Sequence, residues 1–318
     1  PKSRGFGELA KFERGRRPGR MIEYDRYAWW SNVFRIRGGA IPVAAPRVAL
    51  FTAFAIFVQG MFELSVARGW LKDNAHVGID PVGHAVLGSL VGFLIVFRMN
   101  ASNARYWEGR SHWGSMINAS RNLVRAGSEY TSNGAELAGL VAGYAICLRH
   151  SLQGSREVDD AELYLSDEVL AQARKFGNIP TGVAAAITAW IGRERRAGAI
   201  DTVLVRQFEE QLGKLVDAQG GCEKILKTPL PFAYASMIKQ IIGLYLITLP
   251  FVLFERTGWW SPLLIAVISF ALLGMEETSV ETEDPFGRDD NCLNMDAFCL
   301  TIARDGGQMA ARAASVSR

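Results

Sequence analysis

The chain has 318 residues, of which 49% are hydrophobic and 21% charged, and a formal net charge of +3 at pH 7; its mean hydropathy is +0.09. So small a charge balance gives no sign of the concentrated basic face that nucleic-acid binding usually needs. The four cysteines, Cys147, Cys222, Cys292 and Cys299, form no CxxC pair, which excludes a zinc ribbon and reads as reduced, buried thiols in a cytosol-facing protein.

Residues 1–20, "PKSRGFGELAKFERGRRPGR", are basic and lack the apolar core of a secretory signal. "MIEYDRY" from Met21 reads as a natural start, with an extension before it. A bilayer core of about 30 Å needs roughly 20 helical residues, and four blocks approach that length. The first runs from Gly39 to Phe62, with one charge, Arg47, near its start, where a long side chain can snorkel to the interface. The second, Pro81 to Phe97, passes without a break into "RMNASNARYWEGR". The third is Met237 to Phe254, with Lys239 near its entry, and the fourth is Trp259 to Met275.

Short links join the blocks in pairs, and Trp70, Trp259 and Trp260 stand at block edges, where amphipathic aromatics favour the headgroup region. Arginines crowd the other side: Arg14, Arg16, Arg17, Arg20, Arg26, Arg35 and Arg37 before block one, and Arg98, Arg105 and Arg110 after block two. The positive-inside rule then places both termini and the middle region in the cytoplasm of a multi-pass cell-membrane protein.

Between the block pairs, residues 100–235 read as helix. Asp201 is the expected N-cap of "TVLVRQFEEQLGKLVDAQGGCEKIL", "PTGVAAAITAWIGRERRAG" opens with Pro180 and ends at Gly198, and "DAELYLSDEVLAQARKFG" reads as one helix ending at a Gly. Pro229 and Pro231 turn the chain into the third block, since proline fixes φ and lacks a donor. Glu223 and Lys224 read as a surface pair. No phosphate-binding loop, HExxH or GxSxG is present, so the chain is not read as an enzyme, and its histidines are scattered, His84 at the mouth of the second block and His76 in the link before it.

Three strings occur in order: "NARYWEGRSHWGSMINASRNLVR" after the second block, "GGCEKILKTPLPFAYASMIKQ" before the third and "EETSVETEDPFGRDD" after the fourth. In order, spacing and context they resemble the bestrophin family of ion channels, the prokaryotic branch in particular, from about Met21 to Gly306. The resemblance implies an all-α membrane protein, a homopentamer with four transmembrane helices per subunit continuous with a helical cytosolic body around one central pore. Animal members conduct chloride and open with calcium, while prokaryotic relatives can prefer sodium or potassium.

Ser89, Phe93 and Phe97 are spaced by four and share one helix face. The family's neck follows the "LG" pair, here Leu87-Gly88, so the resemblance assigns the pore neck to these three residues. Rings of phenylalanine can gate by dewetting, and Ser89, where the family carries an aliphatic or aromatic residue, makes one layer wider and wetter. Val203 matches the family's cytosolic constriction. Asp284 and Asp289 match calcium-clasp positions, but Cys292 stands where an acidic ligand belongs, and thiols suit calcium poorly. No cofactor is therefore expected, with calcium as the alternative.

The expected segments are a basic cytosolic one over 1–38, a transmembrane pair over 39–99, a helical cytosolic region over 100–235, a second pair over 236–276 and an acidic cytosolic tail over 277–318. The expected partners are monovalent ions, the lipid bilayer and further copies of the chain. The rival reading is a membrane-anchored helical structural or regulatory protein without a pore.

Overall fold

The computed structural model describes residues 22, 24–36, 38–71 and 78–316. The sequence readings placed on Arg14, Arg16, Arg17, Arg20, Met21, Arg37 and His76 lie outside them. Among the described residues every regular element is helical. Within the described residues the chain divides into two units: Tyr24–Tyr106 with Pro229–Asp284, and Trp107–Thr228 with 285–316.

The first unit holds a short helix α1 (Trp29–Val33), α2 (Ile41–Ala67), the start of α3 (Pro81–Tyr130), α8 (Phe232–Thr257) and α9 (Ser261–Glu283). Its helices are apolar nearly all round, the pattern of helices that face either a core or lipid on every side. Ile41–Ala67, Pro81–Tyr130 and the stretch Phe232–Glu283 are each long and apolar enough to cross a membrane. The last is broken by a 3-10 turn, Gly258–Trp260, where Gly258 takes φ +52, a left-handed angle that suits a residue without a Cβ.

Ala44, Ala55, Val91, Ile95, Ile242, Leu246, Leu249 and Ile265 fill the space between these helices. One end of the packing is marked by Phe62 against Phe254, with ring centroids 4.6 Å apart, and by Ser261 Oγ donating to Gln59 Oε1 at 3.4 Å. The Gly78 N–H donates to Glu255 Oε1 at 2.6 Å near the same end. The opposite end is marked by Arg47 beside Glu277.

The helices outrun the apolar blocks. The second block was bounded at Phe97, yet α3 runs 50 residues to Tyr130, about 75 Å at 1.5 Å per residue. Hydropathy ends where solvent or protein replaces lipid, whereas helix formation continues through the Ala, Arg, Glu and Met that follow.

The second unit contains the rest of α3, then α4 (Gly134–Leu152), a 3-10 turn (Asp159–Leu163), α5 (Asp167–Ala173), α6 (Ile179–Arg196), α7 (Thr202–Lys227) and α10 (Met295–Val316). Asp201 caps α7, its carboxylate accepting from the Leu204 N–H at 2.8 Å. The single helix expected over 160–177 is instead two pieces. Ser166 adopts an extended backbone (ψ 154) and accepts from the Val169 N–H, restarting the chain as α5.

Tyr144, Trp190 and Phe208 are buried at the centre. The Tyr144 hydroxyl donates to Gln219 Oε1 at 2.8 Å, and burial pushes its pKa upward. Arg149, itself buried, bonds Asp160 and donates to Asp296 Oδ1 at 2.6 Å, tying α4 to the 3-10 turn and to α10. Burial raises the Asp160 pKa, but the hydrogen bonds from His150 and Arg149 outweigh it and hold the carboxyl well below its usual range. Glu223 and Lys224 do not pair. Neighbours on a helix diverge, so Lys224 reaches Glu108 at 2.5 Å and Glu223 accepts from Lys227 at 2.9 Å.

Candidate functional site

The second apolar block begins α3, and its two faces differ. His84, Val91, Ile95, Arg98 and Ser102 are buried, at the three-to-four spacing of one helix side. His84 is a packed residue: its ring stacks on Tyr245 at 4.3 Å and its Nε2 lies 3.1 Å from Thr248 Oγ1. The other side carries Val82, Val86, Ser89, Leu90, Phe93, Val96 and Phe97, all exposed. Phe93 is 65% and Phe97 60% accessible. The Ser89 hydroxyl turns back to donate to the Ala85 carbonyl at 3.0 Å, which satisfies it locally. Beyond Phe97 the exposed stripe turns polar but uncharged at Asn100 and Asn103.

Charge gathers beneath this stripe, on the buried side. The Arg98 side chain is 3% accessible. Its Nη2 donates to Glu283 Oε2 at 3.4 Å and lies 3.8 Å from Glu276 Oε1. Glu276 also lies 3.5 Å from Lys239 and 3.9 Å from Arg47. Glu283 accepts from the Leu230 N–H through its side chain and from Arg105 Nε through its carbonyl. Arg98, Arg47 and Lys239 thus neutralise Glu276, Glu277 and Glu283 within the chain. Arg105 donates to the Glu283 backbone carbonyl at 3.1 Å. Arg110 instead lies over the Phe298 ring at 4.8 Å, and Arg121 pairs with Asp305 at 2.7 Å.

Val203 stands in the first turn of α7 and is 64% accessible. Asp284 terminates α9 in the first unit, while Asp289 lies in the second, where its carbonyl accepts from the Cys292 N–H at 3.1 Å. Cys292 is buried. Among the described residues no three His, Cys, Asp or Glu side chains converge as metal ligands. No calcium-dependent step is assigned.

The chain matches the bacterial and fungal bestrophin protein family over residues 21–306. It belongs to the bestrophin family. A relative from Nostoc sp., named a voltage-dependent anion channel-forming protein, is 32% identical over 290 residues, 87% of this chain and 90% of its own length. A relative of that name from Escherichia coli, YneE, is 30% identical over 294 residues, 91% of this chain and 94% of its own. A solved bestrophin homologue from Klebsiella pneumoniae, carrying a point mutation, superposes with a TM-score of 0.77 at 25% identity, covering 84% of this chain and 98% of that one. This bestrophin is accordingly an all-α membrane protein and an ion channel, not an enzyme.

Two features of this bestrophin escaped the sequence. The Arg98–Glu276–Glu283 cluster joins residues about 180 positions apart. Its one local signal is the i, i+7 spacing of Arg98 and Arg105 against that of Glu276 and Glu283. The second is α1, read from sequence only as part of a basic segment, in which Trp29 and Trp30 are 71% and 70% accessible.

Proposed function

We propose that this bestrophin assembles as a homopentamer whose five α3 helices surround a pore for small monovalent anions. Each subunit crosses the membrane four times, as α2, the start of α3, α8 and α9, with both termini in the cytoplasm. The observation that carries the reading is the exposure of Phe93 and Phe97 on one predominantly apolar stripe of α3. Five copies give two stacked phenylalanine layers under a wetter Ser89 layer, and such rings close a pore by dewetting without any charge. Val203, exposed at the start of α7, forms the second constriction.

Selectivity follows from what remains exposed. Arg98 is buried and, with Arg105, is engaged by Glu283, so neither formal charge set governs the neck. Phenylalanine edges carry positive partial charge and favour an anion, in keeping with the anion-channel names of the relatives. The test is the reversal potential of the purified protein in a planar bilayer under an asymmetric KCl gradient. A value near the chloride equilibrium potential is expected, and a value near that of potassium overturns the anion assignment. A monomer or dimer in mild detergent, silent in the bilayer, overturns the pore itself.

A further inference from the structure

Helix α1 has no buried residue. It is nonetheless among the most apolar exposed stretches of the chain: Tyr27 is 88%, Trp29 71%, Trp30 70%, Phe34 75% and Ile36 63% accessible. Trp30 and Phe34 stack on each other, with centroids 6.1 Å apart, rather than on the rest of the protein. A five-residue helix is not stable in water by itself, and a contiguous exposed patch of this kind marks an interaction surface. Its internal polar bonds, Asn32 Nδ2 to the Asp25 carbonyl and the Tyr27 N–H to Asp25 Oδ1, fold the segment locally and leave the rings outward.

We infer that α1 lies in the headgroup region of the bilayer as an anchor that recognises anionic phospholipid. Three observations support this occupant. The patch ends just before Ile41, where a helix long enough to cross a membrane begins. Its composition, tryptophan and tyrosine beside the exposed Arg26, is that of interfacial segments, in which aromatic rings sit at headgroup level and cations meet negative lipid. The spacing also fits. Trp70, Trp259 and Trp260, 60–70% accessible, lie at the far end of α2, whose 27 residues span about 40 Å. Two aromatic girdles that far apart bracket a bilayer of about 40–45 Å including headgroups. The inference rests on membrane placement and not on conduction, so a protein that passes no current leaves it standing.

The four native cysteines are buried, and burial pushes the Cys147, Cys222 and Cys299 thiols up to about 12. A nitroxide thiol reagent therefore labels an added surface cysteine selectively. The experiment compares Trp30→Cys with Glu129→Cys, an exposed position of the helical second unit, by electron paramagnetic resonance in nanodiscs. Collision rates with oxygen and with a water-soluble nickel chelate are measured with 0, 20 and 40% phosphatidylglycerol in phosphatidylcholine. The expected oxygen-to-nickel ratio is at least fivefold higher at position 30 than at 129, and it rises with phosphatidylglycerol. Equal ratios at the two sites mean that α1 sits in water. Low collision with both reagents means that another protein copy covers it. A ratio insensitive to phosphatidylglycerol removes the anionic-lipid recognition. Each of these three results overturns the inference, and Phe34→Cys repeats the measurement should Trp30→Cys fail to assemble.

Discussion

Replacing Glu276 by methionine tests the buried ion cluster around Arg98 of α3. Arg98 and Glu276 are 3% and 4% accessible, so little water screens them. At an effective dielectric of about 20, charges 3.4–3.8 Å apart attract by roughly 4–5 kcal/mol before desolvation is subtracted. Glu276→Met leaves the Arg98 guanidinium buried with one carboxylate, Glu283 at 3.4 Å. Breaking a buried pair from one side costs about 3–5 kcal/mol. Arg98→Met is milder, because Glu276 keeps Lys239 at 3.5 Å and Arg47 at 3.9 Å, each partly exposed and offsetting at most about 1 kcal/mol. The double variant replaces both charges by apolar side chains, a change that is often neutral. Thermal unfolding of the detergent-solubilised protein should thus fall by about 10 °C for Glu276→Met, by less for Arg98→Met, and by least for the double variant. Additive losses, or single variants melting with the native protein, would refute the claim that the two charges exist for one another.

Phe93→Ala with Phe97→Ala should raise single-channel conductance or open probability at least tenfold in a planar bilayer, since removing both rings removes the dewetting barrier; unchanged current would place the barrier elsewhere. Gly221→Ala should destabilise the second unit by about 1–3 kcal/mol, because an added Cβ would stand 2.2 Å from the His112 ring; a variant that melts like the parent would show that His112 moves aside. Asp160→Asn leaves Arg149 buried with Asp296 as its remaining carboxylate and should cost about 3–5 kcal/mol at neutral pH. Because the folded Asp160 pKa is depressed, its contribution is complete above the unfolded value of about 3.9 and fades as acid protonates the folded carboxyl. Melting curves of native and variant protein should therefore converge as pH falls below about 4, and a constant gap would contradict the linkage.

What the sequence made legible was what local chemistry decides. Blocks of apolar residues announced α2, α8 and α9, Asp201 announced the start of α7, and Pro231 announced the entry to α8. The spacing of Ser89, Phe93 and Phe97 placed them on one face. It could not tell which way that face turns, because a helix apolar all round has no polar side to orient it. The partners of Arg98 were out of reach because their pairing depends on the packing of α3 beside α9, which no short-range pattern encodes. The break at Ser166 was missed for another reason. A serine inside a helical pattern is as compatible with continuation as with a cap, and the backbone bond it accepts decides between them.

The three-residue turn between α8 and α9 bears on how the protein is made. A link of Gly258, Trp259 and Trp260 offers almost no polar chain to carry across a bilayer, and neither helix has room to insert and wait for the other. On the proposed four-pass arrangement a turn this short commits α8 and α9 to entering lipid together as adjacent spans. Lengthening the turn with a polar insert would turn that single event into two, each with its own chance of stalling or inverting.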